Sequence, residues 1–429
     1  MFYNRGMEAV NKIREVAKYM VLEPAGERPT PPQHAPGQER REASEANSPP
    51  ATDRSPTAAH QVAPCGMVVE SKARKQRKKH DENGVFHAAM GNGKTLPMLK
   101  TLLTSACERN CNYCPFRAGR SFRRTTFKPE EMAKTYMDMV RAGLVRGLFL
   151  SSGIIGGGVK TQDKLIETIE ILRQKHQYRG YVHLKVMPGA EKAQVERSME
   201  LATRLSVNLE APNETRLATL APMKDFSAEL VRPLRWIEEI RQSKRAQNGW
   251  NGRWPSTTTQ FVVGGGEESD VEILAAADYL YKQLNLQRAY FMGFQPIKDT
   301  PLENRPAENP WREFRLYQAS FLFRDYGFDL EEMPFAADGN LPLDQDPKQA
   351  WARNTLLHEP LEVNRAERQE LLRVPGIGPK SATTIVQARR QGTLRDMQHL
   401  RQLGLRTGPM EPYVLLDGRR PTRQLRLFP

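Results

Sequence analysis

The stretch Cys107-Glu108-Arg109-Asn110-Cys111-Asn112-Tyr113-Cys114 sets three cysteines in a C-x3-C-x2-C pattern. Three thiolates can hold three irons of a [4Fe–4S] cluster and leave the fourth iron without a protein ligand. The one other cysteine is the distant Cys65, so a fully cysteine-ligated cubane would have to recruit it. A zinc site would want a fourth Cys or His in a paired arrangement; His183 is available, but no second CxxC follows. Four cysteines in 429 residues do not make a disulfide framework.

Around this run, short apolar stretches alternate with helical patterns. Strands are expected at 99–105, 147–152, 181–187, 205–211, 257–263 and 289–294. Helices are expected near 129–142, 161–175, 190–203, 227–244 and 270–284, with Pro129 in a first helical turn. Strands separated by helices argue for an α/β fold with parallel pairing. Such folds place chemistry at the C-terminal ends of their strands, and the cysteine run follows the first expected strand.

Several polar residues sit at or near those strand ends. Ser206, Asn208 and Glu210 alternate along one strand and so share a face, which suits a ribose or carboxylate site. His183 and Lys185 alternate in the same way, either toward a ligand or as satisfied buried polar groups. Ser151, Ser152 and Gly153 close the second strand, as a ligand contact or as an ordinary Gly-containing turn.

The flanks differ in composition. Residues 1–21 read as an amphipathic helix without the apolar core of a secretory signal. Residues 22–64 hold nine prolines among Ala, Ser, Glu, Gln and Arg, and a basic run follows at Lys72, Arg74, Lys75, Arg77, Lys78 and Lys79. Residues 22–82 are therefore expected to be a disordered linker. No run of 18 apolar residues is present to span a membrane. An Fe–S cluster needs reducing surroundings, so the cytoplasm is expected.

The net charge is +14, and residues 360–429 carry 13 Lys/Arg against 6 Asp/Glu. Half the excess thus lies in about a sixth of the chain, which suits a polyanionic partner through counterion release or, equally on charge alone, a solubilising surface. Within this region, 371–392 reads as a helix ending near 373, a Pro-Gly-Ile-Gly turn with Gly376 and Gly378, and a second helix from Pro379. Glycines there let backbone N–H groups face a phosphate at a helix N-terminus. Lys380 and Ser381 can add contacts, and Arg389 and Arg390 add charge. Such contacts position nucleic acid without reading its sequence. The stretch is similar to a helix-hairpin-helix motif, which usually binds DNA and sometimes serves only as a packing unit.

The cysteine spacing resembles that of the radical SAM superfamily, in which the open iron binds S-adenosylmethionine (SAM). Tyr113, an aromatic before the last cysteine, matches the family habit of packing near the adenine. The resemblance implies a partial (β/α)6 barrel at 95–335; a connector is expected at 336–359, and the hairpin motif points to a small all-α helix-hairpin-helix domain at 360–429. It implies that Ser151, Ser152 and Gly153 stand where the family has a Gly-Gly-Glu motif for the methionyl amine, here without the Glu. Val262, Gly264 and Glu267 match the later part of a G-x-I-x-G-x-x-E pattern that shapes the adenine slot, with Gln260 in place of its first Gly. The implied chemistry is reductive cleavage of SAM to a 5′-deoxyadenosyl radical that takes a hydrogen atom from substrate.

With LFLSSGI, YVHLKVMPGA, LSVNLEAP, LAPMKDF and DPKQAWA, residues 95–425 look like a bacterial family described as DNA modification or repair radical SAM proteins. That resemblance implies DNA as substrate, an electron donor, and a uracil-DNA-glycosylase-like partner. The alternatives are an RNA-modifying radical SAM enzyme, or a DNA-binding protein whose cluster is structural or redox-sensing. Cys65 is either a hydrogen-atom donor or an incidental thiol.

Overall fold

The computed structural model describes residues 2–20, 31–32, 84–89 and 94–421. The basic run, Cys65 and nearly all of the Pro-rich segment lie outside the described residues. Among the described residues no helix is long and apolar enough to cross a membrane.

The centre is a seven-stranded sheet in sequential order: β1 (Val85–Ala89), β2 (Thr95–Leu102), β3 (Gly147–Ser151), β4 (Tyr181–Lys185), β5 (Arg204–Ser206), β6 (Ser256–Val263) and β7 (Arg288–Gly293). β2 to β7 are parallel neighbours, and β1 adds an antiparallel edge, with Val85 opposite Leu99. The sheet is the curled, open form of a partial (β/α)6 barrel.

Its outer face is lined by Leu148, Leu150, Val182, Leu184, Leu205, Phe261 and Phe291, all essentially without exposure. Helices cover that face: α2 (Pro129–Arg141), α3 (Gly158–Glu170), α4 (Lys192–Leu201), α6 (Arg232–Ser243), α7 (Asp270–Gln283) and α8 (Pro310–Phe321). A shorter helix, α5 (Glu214–Leu220), follows β5. Local chemistry starts them where it should. Pro129 and Pro310 occupy first-turn positions, and Ser269 with Glu272 forms a capping box on α7. The N-terminal helix α1 (Phe2–Ala17) packs on the barrel rather than standing apart: Lys12 pairs with Glu131 at 2.7 Å, and Val16 and Met20 join Met98, Leu102, Phe116 and Phe149 in one cluster.

Three features of the sheet depart from the expected pattern. β1 was not anticipated, because a five-residue edge strand depends on β2 for its hydrogen bonds and carries little periodicity of its own. β2 begins earlier than 99, since Pro97 is tolerated next to the edge. β5 ends at Ser206, not 211: Glu210 takes a left-handed φ of 64°, and the ladder resumes only as a single bridge to Phe261. Asn208 and Glu210 nevertheless share a face beyond the strand's end, both lining one cavity.

The C-terminal unit has its own core of Val363, Leu371, Leu372, Val374, Ile377, Ala382, Ile385, Leu400 and Val414. It contains α10 (Arg368–Leu371), α11 (Pro379–Ala388) and α12 (Met397–Gln402), and it is not purely helical: β8 (Leu361–Glu362) pairs with β9 (Val414–Leu415). The preceding segment is packed on the barrel through α9 (Pro347–Thr355), with Trp351 edge-on to Phe328 at 5.4 Å and Arg315 donating to the Leu343 carbonyl. Arg373 pairs with Glu332 at 2.8 Å across the same junction.

Lys348, on α9, is buried there and donates to the Ile377 carbonyl at 2.7 Å. Burial pulls its ammonium down to about 7, against the opposing pull of Asp346. In the unfolded chain a lysine titrates near about 10.4, so between these values only the unfolded state holds the proton. Stability should therefore rise with pH across that window, by at most about 1.4 kcal/mol per pH unit. Comparing thermal melts of the wild type with Lys348→Met checks this: the wild type should gain on the variant between about pH 7 and pH 10, and parallel curves would contradict the assignment.

Candidate cofactor site

The loop from 103 to 128, between β2 and α2, carries the three cysteines, and its other residues clamp it in place. The Glu108 carboxylate accepts from the N–H groups of Gly156 and Gly157 at 2.9 and 3.1 Å. Arg109 pairs with Glu229 at 2.6 Å and reaches the Met223 carbonyl. Asn112 donates through its side chain to the Thr219 carbonyl at 2.8 Å and through its backbone to Leu220 at 2.7 Å. Arg117 holds the Asn110 and Cys111 carbonyls, and Arg124 gathers those of Ser105, Phe116, Arg117 and Arg120. Gly153 is required where β3 meets this loop: a Cβ there would stand 2.2 Å from the Ala106 carbonyl oxygen.

The three cysteines are free thiols that face one cavity. The Ile154 N–H donates to the Cys107 sulfur at 3.4 Å, and the Phe116 N–H to the Cys114 sulfur at 3.5 Å. Burial pushes the Cys111 and Cys114 thiols up; the neighbouring thiols add to the rise, while Lys224 opposes it. A bound metal reverses this balance, because a ligating sulfur is deprotonated.

Tyr113, Ser151, Ser152, Gly153, Lys185, Asn208, Glu210 and Lys224 line the same cavity. Glu210 and Lys224 form an ion pair at 3.0 Å, with side chains 4% and 9% exposed. Burial alone would raise the Glu210 carboxyl, but Lys224 and Lys185 hold it below its usual value. Burial likewise works against the Lys224 ammonium, yet Glu210 and the Cys111 thiol carry it above its usual value. Burial raises the Tyr113 phenol, and the adjacent Glu210 raises it further. Asn208 donates to Gln260 at 3.1 Å.

Glu210 Oε2 and Ser152 Oγ are buried without a hydrogen-bond partner. Orphaned acceptors of this kind are uncommon, and beside three cysteines they suit the ammonium of an amino-acid group. The donor set thus fits a [4Fe–4S] cluster with SAM on its open iron. The cavity is narrow, about 90 Å³, against a usual ligand pocket of about 300 Å³ or more.

Other expected positions lie elsewhere. His183 is fully buried below the cavity, edge-on to Phe149 at 4.7 Å, with neither ring nitrogen bonded. Burial and three nearby cations, Arg204, Lys185 and Lys100, keep its imidazole neutral, well below the ordinary value. Ser206 is buried on the neighbouring strand in register with Lys185, its hydroxyl without a partner. Val262 belongs to the core. Gly264 has a φ of 81° and donates its N–H to Glu268, and Gly266 does the same at 2.9 Å. Glu267 points outward, 71% exposed, to Arg305, because its own φ of 61° turns the chain and sends Glu268 inward. Glu268, rather than Glu267, organises the glycine turn.

Of the C-terminal positions, Gly376 (φ 83°), Lys380 and Arg390 are exposed, Gly378 is the N-cap of α11, and Ser381 is half-buried. Arg389 is not free to meet a partner, since its guanidinium donates to the Val363 and Ala366 carbonyls. Lys224, Glu108, Arg109 and Glu268 were not singled out from sequence. The signal that could have found Lys224 is its place in the LAPMKDF stretch.

Residues 101–280 match the radical SAM superfamily. The chain is 27% identical over 220 residues to an uncharacterized protein, MJ0785, of Methanocaldococcus jannaschii, covering 48% of this chain and 50% of the relative. It thus spans about half the length of that curated relative. Among solved structures, it is similar to the FeFe-hydrogenase maturase HydG from Carboxydothermus hydrogenoformans (17% identity, TM-score 0.41, 52% of this chain and 50% of that one). It is also similar to methylornithine synthase, PylB (16%, TM-score 0.40, 59% and 70%). These structural likenesses are distant, and the family assignment does not rest on them. Residues 101–280 thus match a superfamily whose domains work with a [4Fe–4S] cluster and SAM.

Proposed function

We propose that this chain is a radical SAM enzyme acting on DNA, by repair or base modification, with its C-terminal unit docking the duplex. What carries the reading is one cavity holding three free thiols, a buried carboxylate with an orphaned oxygen, and a buried lysine.

When bound, the cluster and SAM supply an electron and a carbon radical able to take a hydrogen atom from substrate. The protein's residues bind and orient. Cys107, Cys111 and Cys114 ligate the cluster, and the Glu108, Arg109 and Asn112 clamps fix their loop. Glu210 receives the ammonium of SAM and Lys224 its carboxylate, which replaces the missing Glu after Ser151-Ser152-Gly153. Asn208 lies beside them for the ribose, and Tyr113 for the adenine. Lys185, at the cavity wall beside Ser206, is placed to orient SAM or substrate, while His183, buried off the cavity wall, makes no direct contact.

Support for DNA comes from the helix–turn–helix at 368–388. Gly376 is left-handed, and α11 follows its N-cap Gly378 without a side-chain cap, which leaves backbone donors for phosphate. The surrounding excess of Lys and Arg adds attraction. An electron donor and a uracil-DNA-glycosylase-like protein are the proposed partners, in a reducing cytoplasmic setting.

The DNA reading is tested by titrating duplex DNA at several salt concentrations. Replacing both Lys380 and Arg390 by alanine should lower the slope of log K against log salt by about 1.8, near 0.9 per lost phosphate contact. An unchanged slope, or equal affinity for the variant and the wild type, would remove the hairpin from DNA docking. Preference for structured RNA over duplex DNA would favour the RNA-modifying alternative.

A further inference from the structure

A second cleft lies where the barrel meets the C-terminal unit. It has a volume of about 570 Å³ and is lined by Gln318, Arg324, Tyr326, Asp346, Lys348 and Pro379 among others. We propose that Lys348 is an amine nucleophile in this cleft, and that it condenses with the open-chain sugar aldehyde of an abasic nucleotide in DNA held by the neighbouring turn. The proposal rests on the DNA-docking reading above for its substrate, though not for the reactivity of the amine.

Two buried lysines in this protein are treated in opposite ways. Lys224 has Glu210 at 3.0 Å, which fixes it as an ammonium with no lone pair to offer. Lys348 is 9% exposed, and no carboxylate lies within ion-pair distance of it among the described residues. Its two contacts are the Ile377 carbonyl at 2.7 Å and the face of Tyr326, 4.5 Å from the ring centroid. Asp346, the nearest acid in the cleft, is turned to capping α9 through the Lys348 and Gln349 N–H groups and to the Gln318 side chain.

A desolvated lysine with no counter-charge favours the neutral amine, and a titration near neutrality agrees with this. A neutral amine has two N–H groups and one lone pair. One N–H serves Ile377, and the lone pair stays available.

The placement suggests which aldehyde. Ile377 is inside the Pro-Gly-Ile-Gly turn, and Pro379 of the cleft is the first residue of α11. A strand whose phosphate meets the turn therefore has its adjacent sugar close to the cleft. An abasic sugar in its open form is the carbonyl electrophile that a DNA strand carries.

The step balances without an oxidant or reductant. The Nζ lone pair attacks the carbonyl carbon, a C–N bond forms, and the carbonyl oxygen takes a proton to give a carbinolamine. Loss of that oxygen as water, with the remaining Nζ proton, gives the imine. Burial raises the Tyr326 phenol, so it stays protonated and can supply a proton at the cleft wall.

The test uses the full chain, a duplex with a single abasic site, and cyanoborohydride to fix the imine, followed by peptide mapping. An adduct should form at Lys348, be absent with the intact duplex, and fall at least ~10-fold in Lys348→Arg, which keeps an N–H donor on a long side chain but not the nucleophilic lone pair. Circular dichroism of the variant confirms that it is folded. A parallel arm uses 2-deoxyribose 5-phosphate as a free aldehyde. Labelling of Lys348 by the free sugar but not by the abasic duplex would overturn DNA as the source while leaving the reactive amine. Labelling by neither, or equal labelling of Lys348→Arg, would overturn the proposal itself.

Discussion

Replacing any one of Cys107, Cys111 or Cys114 with alanine should lower 5′-deoxyadenosine formation from SAM by more than ~10³-fold, because the three act as one unit and removing one member disables it. The loop has no spare ligand to recruit. Among the described residues no other cysteine exists, and His183 is buried below the cavity and does not line it. The fold should survive the change. Glu108, Arg109, Asn112, Arg117 and Arg124 hold the loop through contacts that do not pass through sulfur. Trading a buried thiol for a methyl group costs about 1–2 kcal/mol at most. Iron and sulfide analysis, thermal melts and chromatography of 5′-deoxyadenosine read the three consequences separately. A variant that keeps both full iron and activity would show that its cysteine is not a ligand.

Glu210→Gln should weaken SAM binding by about 10- to 100-fold and also destabilise the fold. The substitution keeps size and shape but removes the charge that faces Lys224. Breaking a buried ion pair by deleting one partner typically costs about 3–5 kcal/mol, since the other charge is left uncompensated. Stability loss alone would not prove a binding role, so the double variant Glu210→Gln/Lys224→Met separates the two. With both charges gone the melting temperature should recover much of its value, while SAM affinity should stay low, because neither the ammonium nor the carboxylate of SAM finds its counterpart. Anaerobic calorimetry with SAM measures the affinity. Wild-type affinity in the double variant would make the pair purely structural.

The sheet and its helices were largely readable from sequence because parallel strands buried on both faces are written as short apolar runs. GLFLS at 147–151 is of this kind, TTTQFVV at 257–263 reads as a strand from its β-branched residues, and their neighbours β4 and β7 fall within a residue or two of expectation. The cysteine loop was readable because its spacing is local. What could not be read depends on contacts far apart in sequence or on single backbone angles. The Arg109–Glu229 clamp joins residues 120 positions apart. Lys224 matters because its ammonium meets the carboxylate of Glu210, a residue held at a left-handed angle beyond the end of β5. One such angle at Glu267 likewise exchanges the expected glutamate for Glu268. Arg389 looked like a free cation, yet the chain spends it on two carbonyls of its own preceding turn.

The most direct test of the central claim is 5′-deoxyadenosine formation by the anaerobically reconstituted, reduced full chain supplied with SAM. The Cys107/Cys111/Cys114 triple alanine variant is the blank, and duplex DNA, RNA or neither is added. The account predicts product above the blank, raised by DNA and not by RNA. No product under any of these conditions from protein with a fully loaded cluster would contradict it and favour a structural or redox-sensing centre.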